Sequence, residues 1–310
     1  LAVSSVPITR TPRNAGTSRR RRVAAAFQIQ GGGQSDKETF LASSSSFLVQ
    51  TNTKTAYTTV PSNLYFRYNG AGTTEDFTIH VASGVGWEFD WGDGTNTTGT
   101  GTGFSQAPSH LFASGTFDCT LTVDTSTAIT VMQFALAGNL DNPVPDPANF
   151  ANVTTYNMSN NSFIEPMPKF TNNLQLTTIV VNGNSIKDTF PAVSQLSATL
   201  LTIFCYDNQL YGAIPDLSAM GVLTVFRGDD NNFTSYAGAS FNAAMTSFKI
   251  LNNAVSSVDE IDRILAQLDT AGANNGSVTL SGGTNAIPSA AGLTSKTNLE
   301  GKGWTVTVNS

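Results

Sequence analysis

The sequence predicts a mainly β chain: a β-sandwich, then a repeat solenoid built on short strands, with one capping helix. Three observations predict it. Between Val131 and about Ile287 the pattern apolar-x-x-apolar-x-apolar-x-x-Asn-x-apolar returns seven times, its first six copies starting 22 to 24 residues apart. Upstream, in residues 40–125, that pattern gives way to short alternating apolar runs separated by turn signals. After the sixth copy, Val258, Ile261, Ile264, Leu265 and Leu268 switch to the three- and four-residue steps of a helix.

Taken in order, residues 1–39 read as a basic arm and a glycine-rich linker. Arg10, Arg13, Arg19, Arg20, Arg21 and Arg22 have no acid among them, so the arm carries +6, whereas residues 23–310 hold 10 Lys and Arg against 22 Asp and Glu, a net of −12. With Pro7, Pro12 and no apolar periodicity, the arm is expected to be disordered in isolation. Arms of this kind neutralise phosphates, dock on an acidic surface within an assembly, or only solubilise. An acidic body favours anchoring to other subunits of an assembly over nucleic acid. Gly31-Gly32-Gly33 supplies a hinge.

Residues 40–125 carry the expected sandwich, with candidate strands at 47–50, 64–68, 77–81, 87–91 and 117–123. Phe117, Cys119, Leu121 and Val123 alternate onto one face of the last. The run from Thr95 to Gly103 is expected to be an exposed flexible loop. The phrase Trp87-Glu-Phe89-Asp90-Trp91-Gly92-Asp93-Gly94-Thr95, followed by His110-Leu-Phe112 and Gly115-Thr-Phe117-Asp-Cys119, resembles the PKD-type immunoglobulin-like domain. Phe112 and Phe117 replace that family's tyrosines and Cys119 a valine, so two hydroxyls are lost. The resemblance implies a sandwich used as a spacer or adhesive module. Asp90 and Asp93 are hard oxygen ligands on a glycine-rich turn and are the candidates for Ca²⁺. The competing reading makes Asp93 a turn residue bonding its own backbone; on that reading no metal or cofactor is expected. His110 is expected at a strand end as a hydrogen-bonded residue.

In the solenoid, residues 126–256, apolar residues two apart point to one face of a short strand. The Asn column reads Asn139, Asn161, Asn184, Asn208, Asn231, Asn253 and Asn285, and an amide at a strand end both donates to and accepts from the turn backbone. This period, with Leu210-Tyr-Gly-Ala-Ile214-Pro215-Asp-Leu217, resembles the plant-type leucine-rich repeats. Cys205 occupies a core position and Cys119 lies in another module, so no disulfide is expected.

Residues 257–310 form the C-terminal repeat and cap. Ser257 and Glu260 make a capping box at the start of the helix, which Gly272 and Asn274-Asn-Gly276 end. Leu265 and Leu268 would cover the edge of the core, and Trp304, Val306 and Val308 would form a final strand. The stretch from Asp259 to Val308 resembles the closing module of many bacteriophage tail, fibre and other virion proteins.

Chemistry is sparse. The chain has two His and two Cys, and no G-x-S-x-G, H-E-x-x-H or phosphate loop. No run approaches the roughly 18 residues of a membrane span, and residues 23–29 are too short for a signal-peptide core. A chain that begins at Leu1 is expected to be a processed product or one whose leader has been removed. Catalysis is not expected; carboxylate chemistry on glycans is the enzymatic alternative.

Binding is better motivated, because outward strand residues line up from coil to coil. One column reads Asn157, Val180, Phe204, Arg227, Lys249 and the next Ser159, Asn182, Tyr206, Asp229, Leu251. Phe204, Tyr206, Asp207, Arg227, Asp229, Asp230 and Lys249 are therefore candidate ligand residues, rings for stacking and charges for directed hydrogen bonds to a sugar or peptide. The expected function is that of a non-enzymatic, multi-copy phage structural protein, a spike, tail fibre or head decoration. It would be anchored by the arm to other virion proteins and would present the solenoid to a host-surface glycan or protein. The alternative is a secreted bacterial cell-surface adhesin.

Overall fold

In a computed structural model, residues 62–136 and 138–310 are described; the arginine arm, the glycine linker and the expected strand at 47–50 lie outside them. The architecture is mainly β, and it contains a β-solenoid.

The described residues open with ten strands: β1 (Ser62–Ala71), β2 (Thr74–Asp76), β3 (Thr78–Val81), β4 (Gly86–Asp90), β5 (Asn96–Thr100), β6 (Ser105–Gln106), β7 (Ser109–Leu111), β8 (Ser114–Val123), β9 (Ile129–Gln133) and β10 (Leu140–Asp141). Five form a sheet in the order β10-β1-β8-β4-β5. Strict alternation decides its inner face: Leu64, Phe66 and Tyr68, Trp87 and Phe89, and Cys119, Leu121 and Val123 are buried. Opposite them stand Phe77, Ile79 and Val81. Phe134, just past β9, lies 5.4 Å from Phe66 and 5.1 Å from Phe77, ring centre to ring centre. The core of this first module therefore runs without a break into that of the solenoid.

One expectation fails in this module. Residues 96–100 are not a flexible loop but the edge strand β5, paired with β4 throughout. Gly99 makes this possible, since a Cβ there would sit 2.2 Å from Cζ2 of Trp87. The glycine is the bed of the indole.

Beyond β10 the strands are β11 (Thr155–Asn157), β12 (Thr178–Val180), β13 (Thr202–Phe204), β14 (Tyr211–Ile214), β15 (Val225–Arg227), β16 (Asn232–Tyr236) and β17 (Ser247–Lys249). Then come α1 (Val258–Ala271), β18 (Ser277–Thr279), α2 (Ala290–Gly301) and β19 (Thr305–Thr307). Eight strands, β9, β11, β12, β13, β15, β17, β18 and β19, stack in parallel, and antiparallel β3 and then β6 extend the same sheet to ten. Met132, Tyr156, Ile179, Ile203, Phe226, Phe248, Val278 and Val306 share one inward row. β14 and β16 make a second, two-stranded parallel ladder.

That register corrects the first repeat. The sequence reading aligns Phe134 with Tyr156, but the structure aligns Met132 with Tyr156, a slip of two residues. Asn139 consequently leaves the Asn column; its amide instead donates to the Glu75 carboxylate at 2.5 Å. The remaining six asparagines form the ladder. Asn208 is typical: Oδ1 accepts from the Ile186 amide of the preceding coil at 3.0 Å, and Nδ2 donates to the Val181, Cys205 and Tyr206 carbonyls. The last copy is also shifted, because Ser281 to Thr284 lengthen the turn before Asn285 and leave Ile287 exposed.

At the C-terminus there are two helices, not one. From Met132 to Phe248 the inward row advances by 22 to 24 residues per coil, then by 30 and 28 where α1 and α2 form the return. Helix rises about 1.5 Å per residue against about 3.3 Å for extended chain, so a helical return needs more residues to close a coil of the same girth. In α1, Ile261, Ile264, Leu265 and Leu268 are buried but Val258 is exposed. Ser257 caps the Glu260 amide at 3.3 Å, while the Glu260 carboxylate turns to the Tyr236 amide and to Arg263, so the return half of the box is not made. Trp304 is buried and donates to the Ala273 carbonyl at 2.8 Å. Among the described residues no helix is long and apolar enough to cross a membrane.

Candidate functional site

The outward side chains of the parallel strands build the site. Pairing of Val180 with Phe204, Phe204 with Arg227, and Arg227 with Lys249 puts these residues in one column, on adjacent coils spaced about 4.8 Å apart. Tyr206 and Asp229 lie two residues on, hence on the same side. The guanidinium of Arg227 lies 4.5 Å from the centre of the Tyr206 ring and 5.9 Å from that of Phe204. Its Nε and Nη2 both donate to Oδ2 of Asp229, at 3.1 and 3.0 Å. Asp229 is itself buried and fixed from behind, because its Oδ1 accepts from the Leu251 amide at 3.0 Å. The arginine is held by a two-point ion pair on one side and a ring on another. Each hold is worth on the order of 1 kcal/mol.

Of the seven candidate residues, Phe204, Tyr206, Arg227, Asp229 and Lys249 come together. Asp207 and Asp230 have a different place. Each precedes a ladder asparagine with φ of 56° and 52°, in a left-handed column completed by Asn160, Gly183 and Asn252. That conformation costs most residues about 1–2 kcal/mol, and Gly, Asn and Asp tolerate it best. The two carboxylates are thus exposed turn residues at the rim, and Asp230 accepts from Asn252 Nδ2 at 2.8 Å.

A threonine row escaped the sequence reading. The hydroxyls of Thr154, Thr177, Thr224 and Thr246 each donate to a carbonyl of the preceding coil, at 3.0, 3.0, 3.1 and 3.4 Å. The signal was present as a Thr two residues before each inward strand residue, and Leu201, 43% exposed, interrupts it beside the aromatic cluster.

In the first module, both weak metal candidates serve the turn. Asp90 accepts from the Gly92 amide at 3.0 Å, and Asp93 from the Thr95 amide at 2.9 Å and hydroxyl at 2.6 Å. The Thr95 hydroxyl bond, aided by His110 at 2.8 Å, holds the Asp93 carboxyl below its ordinary range. His110 stacks on Trp91 at 4.8 Å. No group of three or more His, Cys, Asp or Glu among the described residues is placed to hold a metal ion. Cys119 and Cys205 are free thiols; burial pushes Cys119 up to about 12 and Cys205 higher still.

No protein-family model and no curated protein matches the chain. Among solved structures, the chain is similar to the BIR2 ectodomain from Arabidopsis thaliana, at 19% identity over 41% of this chain and 67% of that one, with a TM-score of 0.31.

Proposed function

We propose that the chain is a non-enzymatic structural protein of a bacteriophage particle, which attaches to a host surface through the strand face of its solenoid. The observation that carries the attachment is the fixed Phe204–Tyr206–Arg227–Asp229 cluster on a continuous sheet. A binding face gains affinity when its side chains are ordered before the ligand arrives, and here Arg227 is already immobilised by Asp229 and Tyr206. The coil-end asparagines and the spacing support a leucine-rich-repeat assignment for the solenoid. The Trp91-Gly-Asp93-Gly turn supports a PKD-like assignment for the first module. The particle itself is argued from the likeness of the last 50 or so residues to virion closing modules, with the arginine arm as the anchor.

A binding role fits the chemistry of the described residues as well. Both thiols are buried, one imidazole is bonded to Asp93, and the other to the Gly103 carbonyl. Mass spectrometry of purified phage particles tests the reading, with peptides from the arm and from Gly303-Trp304 expected at a fixed ratio to the major capsid protein. Recovery only from the surface of the source cells overturns it in favour of an adhesin.

A further inference from the structure

Resting on that attachment reading, we infer that the strand face takes a glycan that carries isolated carboxylates among neutral sugars, with the acid seated over Arg227 and Lys249.

The charge distribution points there. Residues 62–310 contain 8 Lys and Arg against 20 Asp and Glu, a net of −12. The strand face departs from this background. Its first outward column, Val131 through Thr202 to Thr305, has no charge, the second contains Arg227 and Lys249 and no acid, and the third contains only Asp229. Asp229 is consumed by Arg227. What remains outward is cationic.

Lys249 sharpens the argument. Arg67, Arg227, Arg263, Lys296 and Lys302 each have a carboxylate partner. Lys249, like the exposed Lys169 and Lys187, has none among the described residues, but it is half-buried directly beside Arg227 in the ladder. Like charges opposite each other on neighbouring strands destabilise a sheet. Asp229 engages only Nε and Nη2 of Arg227, which leaves Nη1 available to a ligand. An anion bridging Nη1 and the Lys249 ammonium relieves the repulsion and completes both.

The surroundings choose the rest of the ligand. Near the pair are hydroxyls, Thr202 on the adjacent strand on one side and Ser247 and Thr279 on the other, which suit sugar hydroxyls. The Phe204 ring offers the stacking surface, since the guanidinium covers Tyr206. A peptide strand added to a sheet bonds to a free edge, but the main chain beneath this face is paired on both sides. The rim carboxylates Asp207 and Asp230 oppose a uniformly charged polyanion, so the acid must be spaced by neutral units.

The test uses the full chain on immobilised hyaluronan, which alternates acidic and neutral sugars, and on xanthan, each beside the same polymer with its carboxylates reduced to alcohols. Binding of an acidic form about tenfold or more tighter than its reduced form is expected. Lys249→Met should erase that preference without lowering the thermal midpoint, since it also removes the repulsion with Arg227, and Phe204→Ala should weaken both forms. Equal binding of acidic and reduced polymers, lost in Phe204→Ala, overturns the carboxylate inference and leaves glycan attachment standing. Capture of a DNA duplex with no polysaccharide bound overturns the glycan, as does binding to none of the probes, which takes glycan attachment with it.

Discussion

Replacing Asn208 separates the two halves of the ladder's chemistry. Its Nδ2 contacts are shared: the Val181 carbonyl also accepts from Asn184 at 3.0 Å, Cys205 from Asn231 at 2.9 Å, and Tyr206 from the Gly183 amide at 3.1 Å. Its Oδ1 contact is not, because the buried Ile186 amide has Asn208 as its partner. Asn208→Ala therefore orphans mainly one N–H, and with a small packing loss should cost about 2–3 kcal/mol. Asn208→Asp keeps an acceptor for Ile186 but aims a buried carboxylate at three carbonyls, so at neutral pH it should cost more, about 3–5 kcal/mol. Protonation restores a donor. The folded-state pKa of that aspartate is then raised above the unfolded value of about 3.9, so the stability it recovers is present below that value and lost as pH rises through the folded one. Urea denaturation at pH 7.5 and 4.5 should show the Asp variant less stable than the Ala variant at the higher pH, with the gap closing at the lower. If Ala lies within about 0.5 kcal/mol of the parent, or if the gap ignores pH, the assignment of roles within the ladder is refuted.

Further outcomes follow from single residues. Asp207→Asn should melt like the parent, whereas Asp207→Val, forced to hold a φ of 56°, should lose about 1–2 kcal/mol; equal melting curves would deny the left-handed column. Cys119 and Cys205 should resist iodoacetamide at pH 8 in the folded protein and react at the rate of unfolding, while prompt labelling would contradict their burial. Although burial opposes its ionisation, bonds from Lys302 and Asn298 hold the Asp269 carboxyl below its ordinary value. Its contribution should be present above about pH 3.9 and lost on further acidification, so the difference in melting point between parent and Asp269→Asn should shrink there. A difference constant from pH 7 to 3 would remove Asp269 from the packing of α1 on α2.

Much of the fold was legible because two periods are legible. Alternation sets which residues face the core, and the 22- to 24-residue spacing sets which lie side by side. Where the reading failed, the pattern was degenerate. Met132, Phe134 and Leu136 all point inward, so sliding the first repeat by two residues changes no face and only the hydrogen bonds choose. Helix α2 was missed because Gly292 and Leu299 are its only buried residues, leaving no apolar stripe to count. Its surviving signal was the Ser289 cap, which binds the Ala291 amide at 3.1 Å. The edge strand β5 was missed for the opposite reason: Thr and Gly spelled a loop, and only the Trp87 ring across the ladder explains the glycine.

The site divides along the same line. Column arithmetic was enough to bring Phe204, Arg227 and Lys249 together, since it depends on backbone register alone. What turns neighbours into a site is side-chain geometry, and that was not legible: Asp229 is drawn inward by the Leu251 amide of the following coil, and this leaves its other oxygen to grip Arg227 from the side. Held by one oxygen, it engages Nε and Nη2 and leaves Nη1, so the same bond that orders the arginine also decides which of its donors a ligand could take. Lysine at 227 has no fork to divide between Asp229 and a ligand, nor a plane to lie on Tyr206. The identity of residue 227 is thus set by the carboxylate behind it as much as by whatever binds in front.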